Sequence, residues 1–335
     1  FKLLQETQAI KVLVTSRVRL NFQAEHLFRL DGLAVPEGKE SRTFDFTRLT
    51  DYSSVDLFVQ RAAQLVSSFA LTEENWRPIV RICQFLEGWP LGLELAATLV
   101  RTYTCAQIAD EIQHNQASLA TTLQDLPIRQ QSIHAVFTAS WRLLTTEEAE
   151  IFAQCAVFRG GFTSEAARAI TGATMGLLHQ LEDKSLLQQL TPERFAMHEL
   201  LCQYATQQLH ESPTLTQQAH ERHCSYFAQF LCSHEENFQL DAHALAIVLA
   251  DLDNIRSSWH WAVEQDKLTI LFTTLKPLAH LYSLAGLYQE AVTTFAQAVS
   301  HLRPHIEAKS QLTPLLQNLF VQLLLEQADF CIKLA

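Results

Sequence analysis

From Ser53 to the last residue, apolar side chains recur three and four positions apart, with one short interruption near 185–197. Leu57, Phe58, Arg61, Ala62 and Leu65 set the pattern at its start. That period is the signature of amphipathic helices. Gly and Pro number only nine each in 335 residues, so little breaks the helices once begun. The expected class is mainly α, with unbranched Leu, Ala and Gln favouring helix. A chain of this length is too long for one compact core, so two or three domains are expected.

The first fifty residues read differently. KVLVT at 11–15 is a β-branched run that predicts a buried, parallel-type strand. EHLFRL at 25–30, closed by Asp31-Gly32, predicts a second strand. Two strands alone make an unstable sheet, so the stretch reads as the end of an α/β domain whose front lies elsewhere.

Local signals divide the rest. Ser53-x-x-Asp56 resembles a capping box, and Thr72-Glu73-Glu74 predicts a second helix that runs to Leu86 and stops at Gly88. Pro90 suits a first helical turn, where its missing N–H costs nothing, and the helix is expected to continue through 91–102. Residues 105–114 complete a four-helix group. Leu126-Pro127 marks a break. A helix over 132–144, a capping box at Thr145-x-x-Glu148 and helices near 164–171 and 174–183 follow. Segments 185–190 and 195–197 then predict a hairpin, and helices and hairpin together predict a winged helix. Farther on, Leu275, Leu278, Ala279, Tyr282, Gly286, Tyr288, Ala291, Phe295 and Ala298 fit a tetratricopeptide-type helix pair, with Ala279, Gly286 and Ala291 allowing close approach.

Composition excludes several functions. A net charge of −11 with no Lys/Arg run argues against nucleic-acid binding. The candidate recognition helix at 175–184 carries Glu182 and Asp183 and a single Lys. No apolar run reaches the ~18–20 residues that a membrane span needs. Seven cysteines without a CxxC pair fit reduced thiols in a cytoplasmic protein. His220, His223, Cys224, Cys232 and His234 lack the spacing of a structural zinc site. Gly32 to Gly38-Lys39-Glu40 has one residue too many for a phosphate loop, and Glu replaces the hydroxyl. AIVLAD at 246–251 mimics a metal-binding strand but lies in a helical stretch.

Three strings stand in order: VLVTSR at 12–17, GWPLGLELAA at 88–97 and MHELLCQYA at 197–205. With SSVDLFVQRA at 53–62 and DLDNIRSSWHWAVEQ at 251–265, they resemble the STAND class of signal-transduction NTPases, the AAA-related branch that includes NB-ARC proteins. That resemblance implies residues 1–50 as the end of a P-loop NTPase α/β domain and 51–125 as a helical lid. It implies a winged helix at 126–210 and a helical linker with tetratricopeptide-like repeats at 211–335. It also implies a nucleotide site. Arg17 would read the terminal phosphate, Pro90 would pack on adenine, and His198 would hydrogen-bond the ADP β-phosphate. Glu199 stands where the family motif has Asp, and no phosphate loop is present. Mg²⁺ bound with ATP would therefore be held by an N-terminal half outside this chain.

The parent would be a slow ATPase and this chain alone inactive. It would act as an ADP/ATP switch in signalling or transcription. Its partners would be its own front half, a protein or small-molecule inducer on the repeats and, when active, further copies. Read singly, Arg17 also fits an exposed cap, Pro90 helix initiation, and His198 a helix start without ligand. Two other functions stay open: a helical-repeat scaffold that meets no nucleotide, and a DNA-binding winged-helix regulator.

Overall fold

The computed structural model describes residues 13, 14, 26, 28, 30, 32–36, 46–122, 128–235, 242–307 and 313–334. Most of the expected α/β segment at 1–50, Arg17 included, lies outside them. Leu13 and Val14 are exposed, at 96% and 52%, and carry no regular structure, so the expected buried strand is not observed at those two residues. A strand needs a neighbour's backbone groups, and none pairs with them among the described residues.

Mainly helical structure follows. The first group comprises α1 (Ser53–Leu65), α2 (Trp76–Phe85), α3 (Pro90–Thr98) and α4 (Cys105–Thr122). Phe58, Ile79, Ile82, Leu93, Leu95 and Ile112 are fully buried between them. Three boundaries depart from expectation. Ser53 is the first helical residue rather than a cap, and the N-cap is Tyr52. Residues 72–75 form a turn in which Thr72 and Asn75 bond each other's backbone amides, so α2 begins later than Thr72 implies. After Thr98, α3 tightens into a short 3₁₀ turn over Leu99–Arg101.

Ser53 and Ser54 have another task. The Ala34 amide donates to Ser53 Oγ at 3.1 Å, and Ser54 Oγ donates to the Ala34 carbonyl at 2.7 Å. Gln84 Nε2 donates to the Pro36 carbonyl at 3.0 Å, and the Leu33 amide donates to the Gly88 carbonyl at 2.8 Å. Segment 32–36 is thereby fastened to the bundle. The approach is close enough that a Cβ on Gly32 would lie 2.1 Å from the Glu87 carbonyl oxygen, and one on Gly88 would lie 2.0 Å from that of Leu33. Gly88 also has φ +68°, open to glycine at no steric cost.

The middle of the chain holds α5 (Ile128–Trp141), α6 (Thr146–Gln154), β1 (Phe162–Thr163), α7 (Ser164–Thr171), α8 (Met175–Asp183), β2 (Gln188–Thr191), β3 (Arg194–Ala196) and α9 (Glu199–His210). The predicted capping box at Thr145 and Glu148 is present, with both side chains bonded to each other's amides. The predicted hairpin forms and gains a strand, giving an antiparallel sheet of order β1-β3-β2 in which Phe162 pairs with Phe195. A line of rings, Phe195, Phe162 and Phe158, runs from this sheet to Phe227, with Phe158 stacked on Phe162 at 4.3 Å.

Beyond it come α10 (Pro213–His234), α11 (Ala242–Ala250), α12 (Leu252–Glu264), α13 (Leu268–Leu284), α14 (Tyr288–Glu307) and α15 (Pro314–Leu334). The predicted pair is α13 and α14. Leu275, Leu278, Ala279, Tyr282, Ala291, Phe295 and Ala298 are all buried there. Gly286 differs from expectation: it is exposed at φ +68°, with nothing near its missing Cβ. It supplies a left-handed turn after α13 rather than close helix contact.

Candidate functional site

Pro90 and His198 line one cavity of about 640 Å³. Its walls are α1 (Leu57, Gln60, Arg61, Gln64), the start of α3 (Trp89, Pro90, Glu94), the α8–β2 turn with the start of β2 (Ser185 to Gln189) and the start of α9. It therefore lies between the four-helix group and the sheet-bearing unit.

Local sequence explains both placements. Leu86, Glu87 and Gly88 turn the chain, with φ 48° at Glu87 and +68° at Gly88. Trp89 is the N-cap of α3 and Pro90 its first residue. His198 is the N-cap of α9, and its Nδ1 accepts the Leu200 amide at 3.2 Å. With Nδ1 accepting, the proton of a neutral ring sits on Nε2. Pro90 thus initiates a helix and His198 starts one, as their local patterns imply, and both also face the cavity. Two helix N-termini meet there, and each brings a partial positive charge that favours an anion.

Arg17 lies outside the described residues. Arg61 is the cavity residue that sequence reading passes over, because it sits at the polar edge of a regular amphipathic pattern. Its Nη1 donates to Gln64 Oε1 at 3.1 Å and its Nη2 to Ser185 Oγ at 3.0 Å. Its Nε is buried without a partner.

A smaller cavity of about 230 Å³ lies beside Arg159, Gly160, Gly161, Glu199 and Cys202. Its thiols are unsuited to nucleophilic chemistry. Burial pushes Cys155 up to about 12. Cys202 is raised, chiefly by burial, with Arg159 opposing. All seven cysteines are free.

The His/Cys group weighed for zinc is dispersed among separate partners. His223 is buried against Phe158, Phe227 and Asn254, His220 stacks on Trp261, and Cys224 and Cys232 face the Ser258 and Thr273 carbonyls. Among the described residues, no group of three or more His, Cys, Asp or Glu is placed to hold a metal. No described helix is long and apolar enough to cross a membrane.

The chain is similar to bacterial regulators at low identity. It is 28% identical over 300 residues to the "Putative HTH-type transcriptional regulator Rv0890c" of Mycobacterium tuberculosis, covering 84% of this chain and 32% of the relative. It is 28% identical over 212 residues to "Regulatory protein AfsR" of Streptomyces coelicolor, covering 61% of this chain and 19% of that protein. The uncharacterized protein Rv0894 of M. tuberculosis is 27% identical over 222 residues, covering 63% and 52%. The chain thus spans about a third of the length of the regulator it matches over 300 residues. No family model matches it, and no solved structure does.

Proposed function

We propose that this chain is the rear part of a nucleotide-operated regulatory switch, and that the Pro90–His198 cavity takes ADP or ATP. The observation that carries this reading is that two residues from separate helical groups, singled out by their motifs, line the same cavity. Its volume suits a mononucleotide. Nε2 of His198 can donate to a phosphate oxygen, and the N-terminus of α9 lies beside it. On this reading α1–α4 form the lid, and α5–α9 with the three strands form a winged helix that relays. The helices from α10 onward sense an inducer. Arg17 would add the fork that tells ATP from ADP by charge. Mg²⁺ with ATP would be held by residues outside this chain. Exchange of ADP for ATP then shifts a two-state equilibrium, provided the states bind the two unequally.

Nucleotide content tests this. Protein of natural length is purified, and bound nucleotide is released and quantified. Retained ADP is expected, and His198→Ala should weaken it about tenfold or more, since hydrogen bonds to charged groups contribute about 1.5–3 kcal/mol. Protein that carries no nucleotide and takes up none on titration would end the reading.

A second reading is a DNA-binding regulator, favoured by the similarity to a "Putative HTH-type transcriptional regulator". The exposed side of α8 weighs against this chain as the reader. It carries no Lys or Arg, and Lys184 just past it is held by Glu148 at 2.6 Å. Phosphate contacts need cations. A duplex titration with steep salt dependence would reverse that preference.

A further inference from the structure

Arg61 stands on the cavity wall, and among the described residues it has no counter-ion. Its two Nη bonds go to neutral partners, Gln64 and Ser185, and its Nε has none. Among the described residues no carboxylate forms an ion pair with it, although Glu94 and Glu182 line the same cavity. Glu182 is held by His179 at 3.0 Å. Neutral acceptors satisfy N–H directions but leave the charge unmet, and a partly desolvated charge is costly unless paired. A guanidinium offers a planar fork of donors that matches phosphate oxygens. The side chain is held in place by Gln64, one turn away on its own helix, so little freedom is lost on binding.

We propose that Arg61 is the anion anchor of this cavity: a phosphate group takes its Nε and Nη2, and in doing so displaces Ser185. The proposal rests on the nucleotide reading above for the identity of the phosphate's carrier. The exchanged bond spans two units, since Arg61 belongs to α1 and Ser185 to the α8–β2 turn. Arrival of phosphate therefore replaces a direct contact between the four-helix group and the sheet-bearing unit with one through the ligand. No bond is made or broken covalently.

The test is calorimetric titration of the 335-residue chain with pyrophosphate, ADP and adenosine. Arg61→Met should weaken pyrophosphate and ADP at least tenfold and leave adenosine unchanged. Arg61→Lys, which keeps charge but loses the fork, should fall between. Ser185→Ala should tighten pyrophosphate severalfold, because it frees the donor that phosphate must otherwise win. A purely structural Arg61–Ser185 contact would instead make both partners' variants weaken binding alike. If Arg61→Met does not fold, judged by its far-ultraviolet melt, Arg61→Lys and Ser185→Ala carry the test.

Equal pyrophosphate affinity in Arg61→Met and the parent overturns the proposal. ADP bound by the parent and undiminished in Arg61→Met removes Arg61 and leaves the nucleotide reading standing. Pyrophosphate bound through Arg61 as tightly as ADP, with no adenosine binding, keeps the anion site and removes the nucleotide. No binding of either phosphate by the unsubstituted chain removes the anion anchor, and the nucleotide reading is then decided by the nucleotide content of protein of natural length.

Discussion

Arg194 on β3 and Asp251 ahead of α12 meet as a two-pronged ion pair, with Nη1–Oδ2 at 3.0 Å and Nη2–Oδ1 at 2.9 Å, although 57 residues separate them. Both are largely buried, at 15% and 6% side-chain exposure. Asn254 extends the contact. Its Nδ2 donates to Asp251 Oδ1 and to the Gly161 carbonyl, and its Oδ1 accepts the Arg159 amide at 2.7 Å. The network fastens the sheet-bearing unit to the helices behind it.

Arg194→Ala should therefore do more than remove a contact. Leaving Asp251 without its cation in a desolvated site costs about 3–5 kcal/mol when such pairs are broken from one side. Thermal melting by circular dichroism is expected to separate into two steps, as the helices from α10 onward lose their hold. A single transition moved by less than ~1 kcal/mol would show that the pair is dispensable.

His223 gives a pH dependence. Burial lowers its pKa to about 3, and the Asn254 bond opposes that only in part. The folded state thus keeps the ring neutral while the unfolded chain protonates near 6.5. Between about 6.5 and 3 the unfolded state binds the extra proton, so stability falls as pH falls through that window. From pH 7 to 5 this one residue should remove about 2 kcal/mol, at ~1.4 kcal/mol per unit below its unfolded value. Urea titrations of the parent and His223→Gln at both pH values test it. The difference between pH 7 and 5 should shrink in the variant. An equal difference would place the acid sensitivity elsewhere.

Glu148 joins a helix cap to a neighbouring helix end. Both its oxygens accept from Lys184 Nζ, at 2.6 and 2.7 Å, and Oε2 also accepts the Thr145 amide at 2.8 Å. Burial alone would raise its pKa, but Lys184 and Thr145 together hold the carboxyl below the usual carboxylate range. Thr145→Ala should cost about 1 kcal/mol, the usual worth of a cap. Glu148→Ala should cost about 2–3 kcal/mol, since it removes charged hydrogen bonds and strands Lys184. Denaturant midpoints rank the two, and equal losses would refute the added role.

Features written within a few residues were legible in the sequence. The capping box at Thr145, the hairpin before His198 and the helix pair around Tyr282 each follow from local patterns, and the fold reproduces them. Pro90 and His198 could be named because each sits in a recognisable string, and one cavity receives both. Arg61 was illegible for the opposite reason. Its pattern is that of any amphipathic helix, and what distinguishes it is a buried Nε without a hydrogen-bond partner, which only packing reveals. Asp251 was hidden likewise: in sequence it closes a decoy strand, while its partner lies in a hairpin far away. Ser53 misled because its hydroxyl serves the Ala34 amide instead of its own helix.

The contact between Gly32 and Gly88 has a hereditary consequence. The gap between the two backbones admits a hydrogen and nothing larger. Descent should therefore preserve the two glycines as a couple. A relative with a side chain at either position must carry the segment before its first bundle helix along another path, and such a lineage would have surrendered the anchorage next to Trp89, which lines the cavity.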